Sequence, residues 1–344
     1  MNATGRRLTL LLSMEPLLSI VVPCFNEEAA LPAFLADAVE PIDTATGGAW
    51  QIIFVDDGST DRSAAIILEH HHRDQRVACL MLSRNFGHQA ALNCGLAYAN
   101  GQHVAVMDCD LQDPIKVLVD LYKKCIIEGN DIAFAVRAKR TGNPLLRVCY
   151  RAFYRVMQKL SDHEWPLDAG DFCVFNKKVH GVLLSMPENV RVLRGLRSWV
   201  GLKQAALAYT RPAREHGRSK YSLAKLGSLA ASSLVNFSTA PLRLAVWIGL
   251  TMAFVCFALF VLLLINRIFP RFSIFGYYIG ANPGIATVGL LLCLIGSMLF
   301  FCIGILGEYL AMILTEIKRR PAAIIQQRIG DLQRQETAFR IREF

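Results

Sequence analysis

The sequence predicts an α/β domain built on a mainly parallel sheet, joined to two membrane-crossing helices. Three observations lead there. Strand-like and helix-like segments alternate from Leu18 to Lys139, two aspartate clusters each follow a strand-like run, and two long stretches near the carboxyl end carry no charge. Repeated strand–helix alternation is the pattern of a sheet covered by helices on both faces, whose strands read as continuous apolar runs.

The elements follow from the pattern in order. Strands are expected at 18–24, 51–56, 77–83, 103–108 and 131–137, separated by helices near 27–40, 61–73, 88–99 and 115–128. The second half is less regular, with strands at 171–176 and 204–211 and helices at 177–186 and 190–199. Residues 1–17 form an extension. Arg6-Arg7 and Leu8 to Leu12 faintly resemble a signal sequence, but the run is short and no small-residue cleavage site follows, so a disordered or misassigned start is expected. The domain proper is read as 18–219.

Of 344 residues, 53% are hydrophobic, and the mean hydropathy is +0.34. The excess is local. No charged residue occurs from Leu244 to Ile265 or from Phe272 to Gly307, and about 20 apolar residues suffice for a helix to cross a bilayer. Spans are expected near 243–265 and 284–307, within a membrane region 242–310 followed by a tail, 311–344. Lys220, Lys225 and Arg243 precede the pair and Lys318-Arg319-Arg320 and Arg328 follow it, against Arg267 and Arg271 between. The positive-inside rule then places the main domain and both termini in the cytoplasm.

Two segments are amphipathic, and the second leads into the first span. Arg147, Arg151, Arg155 and Lys159 recur every four residues beside an apolar row of Leu146, Phe153, Val156 and Leu160. In 221–237, part of an interface segment 220–241, Ser222, Lys225, Ser228, Ser232 and Asn236 oppose Leu223, Leu226, Leu234 and Phe237. Such helices lie in a membrane interface, so the net charge of +9 is assigned to anionic lipid and not to nucleic acid. The ten cysteines include no CxxC pair and read as reduced structural thiols. His70-His71-His72 point in different directions on a helix and are read as a solvated face.

The chemistry is concentrated in Asp56-Asp57-Gly58-Ser59-Thr60-Asp61 and Asp108-Cys109-Asp110-Leu111-Gln112-Asp113-Pro114. Both lie where parallel strands end, the edge at which open α/β sheets bind ligands. Asp108 and Asp110, spaced D-x-D with Gln112 continuing the row, offer oxygen donors to Mg²⁺ or Mn²⁺ shared with diphosphate. Alternation points Cys109 the other way, to packing. Asp56 and Asp57 can accept hydrogen bonds from base and ribose, while Gly58 turns the chain and Asp61 caps a helix.

With Val21-Val22-Pro23-Cys24-Phe25-Asn26-Glu27-Glu28, Arg214-Glu215-His216-Gly217-Arg218-Ser219-Lys220-Tyr221 and Gly307-Glu308-Tyr309-Leu310, these motifs resemble those of inverting family 2 glycosyltransferases of the GT-A, Rossmann-like fold. More narrowly they resemble polyprenyl-phosphate glycosyltransferases, the group of dolichol-phosphate mannose synthase and bactoprenol glucosyltransferases, over nearly the whole chain from Leu18 to about Pro321. The resemblance implies that Pro23, Phe25 and Glu27, with Asp56, Asp57 and Asp108, bind the nucleotide sugar. Asp108, Asp110 and Gln112 would hold metal and diphosphate, and Asp110, Asp171 and Arg137 would be catalytic, Asp171 as base or sugar-orienting group. Arg214 and Lys220 would meet the acceptor phosphate. It further implies a UDP-hexose donor, polyprenyl (undecaprenyl) phosphate as acceptor, membrane lipids as partners and a bacterial inner-membrane location, with a homo-oligomer left open. The family commonly has Lys or Glu near His88-Gln89, and no role follows for either residue. Two other readings compete. A processive polysaccharide synthase would carry Q-x-x-R-W, a pattern that Arg194-Gly195-Leu196-Arg197-Ser198-Trp199 lacks, and a non-catalytic nucleotide-sugar sensor or scaffold would not need intact acidic motifs.

Overall fold

The computed structural model describes residues 15–137, 169–188, 191–210 and 285–343, with parts of 242–261. The first half alternates as expected: β1 (Leu18–Cys24), α1 (Leu31–Thr46), β2 (Trp50–Asp56), α2 (Ser63–Arg73), β3 (Val77–Leu82), α3 (His88–Leu96), β4 (His103–Val106), α4 (Ile115–Ile126) and β5 (Ile132–Arg137). Then come β6 (Ala169–Asn176), α5 (Lys177–Ser185), α6 (Leu193–Val200) and β7 (Gln204–Tyr209), followed by α7 (Ile285–Ile317), β8 (Ala323–Ile329) and β9 (Ile341–Glu343).

All nine strands form one sheet, in the order β7-β5-β6-β4-β1-β2-β3-β8-β9. The central strands β4, β1, β2 and β3 run parallel, with Val21 beside both Ile53 and Val106. Their side chains are buried on both faces, from Ile20, Val21 and Val22 to Ile52, Ile53, Phe54 and Val55, which is why these strands read as unbroken apolar runs. Because β2 and β4 flank β1 on opposite sides, the order reverses at β1. The crevice at the carboxyl ends of β1 and β4 is therefore the place where such a sheet takes a ligand. Helix α3 closes on these strands. A Cβ at Gly95 would fall 2.4 Å from Val21 Cγ1 and 2.8 Å from Val55 Cγ2, so only glycine lets the helix lie this close.

The sheet departs from the sequence reading at its margins. Strand β6 runs antiparallel between β4 and β5, and β8 runs antiparallel along β3. The segment expected to be a tail after 310 is instead structural. Helix α7 continues to Ile317, and β8 and β9 then complete the sheet, burying Ile325, Leu332 and Phe339. Tyr98 Oη donates to Glu343 Oε2 at 2.9 Å, and Ser83 N to Ile324 O at 3.0 Å. Strand β4 ends at Val106, so Asp108 lies in the following loop.

The chain divides into two compact units, one holding the sheet with residues 318–344 included, the other holding α7. Within α7, Met298–Ile317, with mean hydropathy 2.0, is long and apolar enough to cross a membrane, the one such helix among the described residues. Residues 245–252 are helical. Part of the first expected span, the segments 147–159 and 221–237, and residues 1–14 lie outside the described residues.

Candidate active site

The site is assembled from the loops that follow β1, β2, β3 and β4 and from the first residues of β6, which its antiparallel course brings to the same edge. After β1 the chain turns at Asn26, which adopts a left-handed φ of 55°, and it is tied to the turn after β2. Asn26 N donates to Ser59 Oγ at 2.9 Å, Thr60 N to Asn26 Oδ1 at 2.8 Å, and Glu27 N to Ser63 Oγ at 2.9 Å. Asp61 accepts from Ser63 N and Glu28 N, so it holds this junction as well as the start of α2. Phe25 and Glu27, half-buried, stand on a braced loop, and Pro23 is buried in β1.

Asp56 and Asp57 have tasks within the fold. Asp56 is 2% exposed and accepts from Ser59 N; Asp57 is 3% exposed and takes Phe86 N at 2.7 Å on one oxygen and Gly87 N at 2.9 Å on the other. Burial raises both carboxyls above the usual range, with these hydrogen bonds opposing it. The structure uses Asp57 to hold the loop between β3 and α3. Gly58 makes that possible. Its φ is 71°, and a Cβ there would lie 2.6 Å from the carbonyl carbon of Arg84.

The loop after β4 carries the second cluster. Cys109 is buried and its Sγ faces Pro23 O at 3.6 Å, the packing role expected of it. Leu111 adopts a φ of 59°, a conformation that costs a non-glycine residue about 1–2 kcal/mol. Asp110 Oδ1 accepts from Gln112 N at 3.2 Å, and Gln112 is buried. Asp113 Oδ1 accepts from Tyr209 Oη at 2.8 Å, which fastens this loop to β7. Tyr209 also engages Arg137.

One residue to which the sequence assigned no role stands at the centre. His88 Nε2 lies 3.8 Å from Asp108 Oδ1 and 3.6 Å from Asp171 Oδ2. It begins α3, the helix that Gly95 seats against the sheet. The next residue, Gln89, donates from Nε2 to Asp171 Oδ2 at 2.7 Å. The two carboxyls respond oppositely. Burial, joined by Asp113, Asp110 and Asp171, pushes Asp108 up to about 6 against the pull of His88. Burial also acts to raise Asp171, but His88, Arg194 and Gln89 outweigh it and hold that carboxyl below its ordinary value. Burial acts to lower His88, yet Asp171, Asp108 and Asp57 raise it. Titratable groups pushed apart in this way, beside a crevice, mark a site of chemistry.

Basic groups gather about β6. Arg137 ends β5 with its Nη2 3.9 Å from where a Cβ of Gly170 would be, and its Nε is buried without a hydrogen-bond partner among the described residues. Arg197 is wholly buried; it donates to Gly170 O at 3.3 Å and lies 4.4 Å from the ring centre of Phe134. Asp108, Asp110, Gln112, Asp171 and Arg137 all belong to the sheet-bearing unit. Arg214 and Lys220 lie outside the described residues.

The protein-family model for Glycosyl transferase family 2 matches residues 19–184, the span from β1 to α5. An uncharacterized glycosyltransferase of Bacillus subtilis, YkcC, is 36% identical over 313 residues, covering 91% of this chain and 94% of the relative. The chain belongs to glycosyl transferase family 2. This family 2 glycosyltransferase is thus an enzyme of the GT-A fold, as its ordered motifs implied. It is also 35% identical to a prophage bactoprenol glucosyl transferase homolog of Escherichia coli over 90% of this chain and 98% of that one, and 35% identical to the bactoprenol glucosyl transferase of Shigella phage SfII. Among solved structures, glucosyl-3-phosphoglycerate synthase of Mycobacterium tuberculosis aligns with a TM-score of 0.45 at 18% identity, covering 66% of this chain and 80% of that one.

Proposed function

We propose that this glycosyltransferase moves a hexose from a UDP-sugar to polyprenyl phosphate at the cytoplasmic face of a bacterial inner membrane, with inversion at the anomeric carbon. The observation that carries the reading is the 35% identity to bactoprenol glucosyl transferases across 90% of the chain, which takes in both the sheet and the apolar helix α7. A phosphate oxygen of the acceptor forms the new bond to the anomeric carbon as the bond to the diphosphate breaks, and UDP leaves with the electron pair. A phosphate monoester, with a second pKa of about 6, is already largely dianionic at neutral pH and needs no strong base.

The acidic crevice suits a divalent cation. Asp108 is 39% exposed at its side chain and its carboxyl is pushed up to about 6, among the fields of Asp110, Asp113 and Asp171. That crowding of negative charge is what a cation relieves. Among the described residues no three His, Cys, Asp or Glu side chains converge as a complete ligand set. Asp108, Asp110 and the Gln112 amide would therefore hold Mg²⁺ or Mn²⁺ jointly with substrate oxygens and water, the usual arrangement for Mg²⁺. Bound there, the cation supplies positive charge for the departing diphosphate.

The chain's own groups do the rest. Asp171, kept ionised, orients the sugar, and His88 lies between it and Asp108 to fix the spacing. Arg137 meets phosphate oxygens, as do Arg214 and Lys220 by the sequence reading. Pro23, Phe25 and Glu27 seat the nucleoside on the loop that Ser59, Ser63 and Asp61 brace.

Connectivity supports a multi-pass arrangement. Strands before residue 210 and strands after residue 322 are hydrogen-bonded in one sheet, so both lie on one side of any membrane. If α7 crosses, the chain between must cross an even number of times, and the uncharged run Leu244 to Ile265 supplies the partner for α7.

The test is mass spectrometry of the lipid fraction after incubating the full chain with undecaprenyl phosphate and a panel of UDP- and GDP-sugars. A chloroform-soluble polyprenyl-phosphate hexose formed from one UDP-sugar is expected. Insoluble polymer, or no product from any donor, would sink the reading.

A further inference from the structure

We propose that Gln89 is a positioning residue, whose side-chain amide fixes the carboxylate of Asp171 by anchoring it to the amino end of α6. The proposal rests on the reading of Asp171 as the carboxylate that orients the sugar, and goes beyond it by naming what orients Asp171.

Three hydrogen bonds converge on this one residue. Gln89 Nε2 donates to Asp171 Oδ2 at 2.7 Å, Leu193 N donates to Gln89 Oε1 at 3.0 Å, and Asn93 Nδ2 donates to the Gln89 carbonyl at 2.7 Å. The partners leave the amide no choice of direction. A backbone N–H can only donate and an ionised carboxylate can only accept, so Oε1 must face Leu193 and Nε2 must face Asp171. Gln89 thereby joins α3, β6 and α6, and α3 itself is pressed against β1 and β2 at Gly95.

Asp171 needs such a tie. Its Oδ1 is buried and has no hydrogen-bond partner among the described residues, so the other oxygen carries its orientation. The nearest His88 nitrogen, at 3.6 Å, is a looser contact than the amide at 2.7 Å. Without Gln89 the carboxylate is free to rotate towards other donors and leave its position against the sugar. A displacement of about 1 Å in a reacting constellation costs on the order of a hundredfold in rate.

Four variants of the full chain test this, each measured for thermal unfolding and for kcat and donor KM in the lipid-transfer assay. Gln89→Glu keeps the shape and the acceptor for Leu193 N but sets a second carboxyl against Asp171, so that the pair repels when both are ionised and otherwise shares one proton, which takes the full charge from Asp171. It is expected to lower kcat on the order of a hundredfold with donor KM unchanged. Gln89→Ala should do the same, and if it does not fold, Gln89→Glu carries the test. Asp171→Asn should be slow on its own. The paired variant Gln89→Glu with Asp171→Asn exchanges donor for acceptor across the same contact. It should recover thermal stability over either single variant, but not kcat. Wild-type kcat in folded Gln89→Glu, or recovery of kcat by the exchange, would overturn the positioning role. Wild-type kcat in Asp171→Asn would instead remove the role of Asp171, and that of Gln89 with it. A wild-type chain that yields no lipid product would sink the proposed function itself.

Discussion

Asp108 and Asp171 lie on either side of His88, and their opposite shifts make a prediction about stability. Asp108 has a folded-state pKa of about 6 against an ordinary 3.8. Below 3.8 it is protonated folded or unfolded and costs nothing. As pH rises from there towards about 6 the unfolded chain loses the proton first, so the folded state loses ground, and above 6 the full penalty stands. Asp108→Asn should therefore raise the unfolding temperature of the metal-free chain near pH 7.5, with the gain shrinking as pH falls through about 6 towards 4. Scanning calorimetry in EDTA across that range checks it; a loss of stability at neutral pH, or a gain that does not vary with pH, would contradict the assignment. The acidic residues of this site were legible in the sequence because D-x-D after an apolar run is a local pattern. His88 and Gln89 were not. They stand at the head of a helix in Asn85-Phe86-Gly87-His88-Gln89, and only the fold brings them to Asp171, more than eighty positions away. The signal available was positional: in an alternating α/β chain, every residue opening a helix after a central parallel strand borders the crevice.

At the scale of elements, the parallel strands could be read because burial on both faces makes them apolar throughout, and observed ends differ by a few residues. Strands β8 and β9 could not. Ala323-Ile324-Ile325-Gln326-Gln327-Arg328-Ile329 follows an apolar helix and has no steady alternation, and β8 pairs with β3, some 240 positions earlier in the chain. No local rule reports so distant a partner. Yet the segment matters, because without β8 the strand β3 would be an open edge. Phe339, 2% exposed, lies 5.2 Å beneath the Arg191 guanidinium, and its removal leaves a cavity under the sheet margin. Phe339→Ala should cost about 3–5 kcal/mol, read as a lowered denaturant midpoint of the full chain in detergent. Deleting residues 322–344 should be worse and should promote aggregation through β3. An unchanged midpoint in both variants would return this segment to the status of a dispensable tail.

At the scale of the molecule, one sheet built from both ends of the chain constrains how the protein meets a membrane. A hydrogen-bonded sheet cannot have strands on opposite faces of a bilayer, since its backbone groups would have to bridge hydrocarbon. Residues before β7 and residues after α7 must then share a compartment, whichever compartment that is, and the chain between them crosses an even number of times or not at all. The basic residues around Lys220 and Lys318 favour the cytoplasm for both. Single cysteines in a chain otherwise free of them make this measurable. Glu69→Cys in α2 and Glu336→Cys before β9 replace exposed side chains of the sheet-bearing unit, and Asn282→Cys lies between the two expected spans, 243–265 and 284–307. In intact spheroplasts of a bacterial host, a membrane-impermeant maleimide should label position 282 alone, and positions 69 and 336 only after lysis. Labelling of 69 and 336 from opposite sides would break the nine-stranded sheet. Labelling of all three from the same side would leave α7 lying on the membrane instead of crossing it, and the acceptor's lipid tail would then have to be met without a transmembrane anchor.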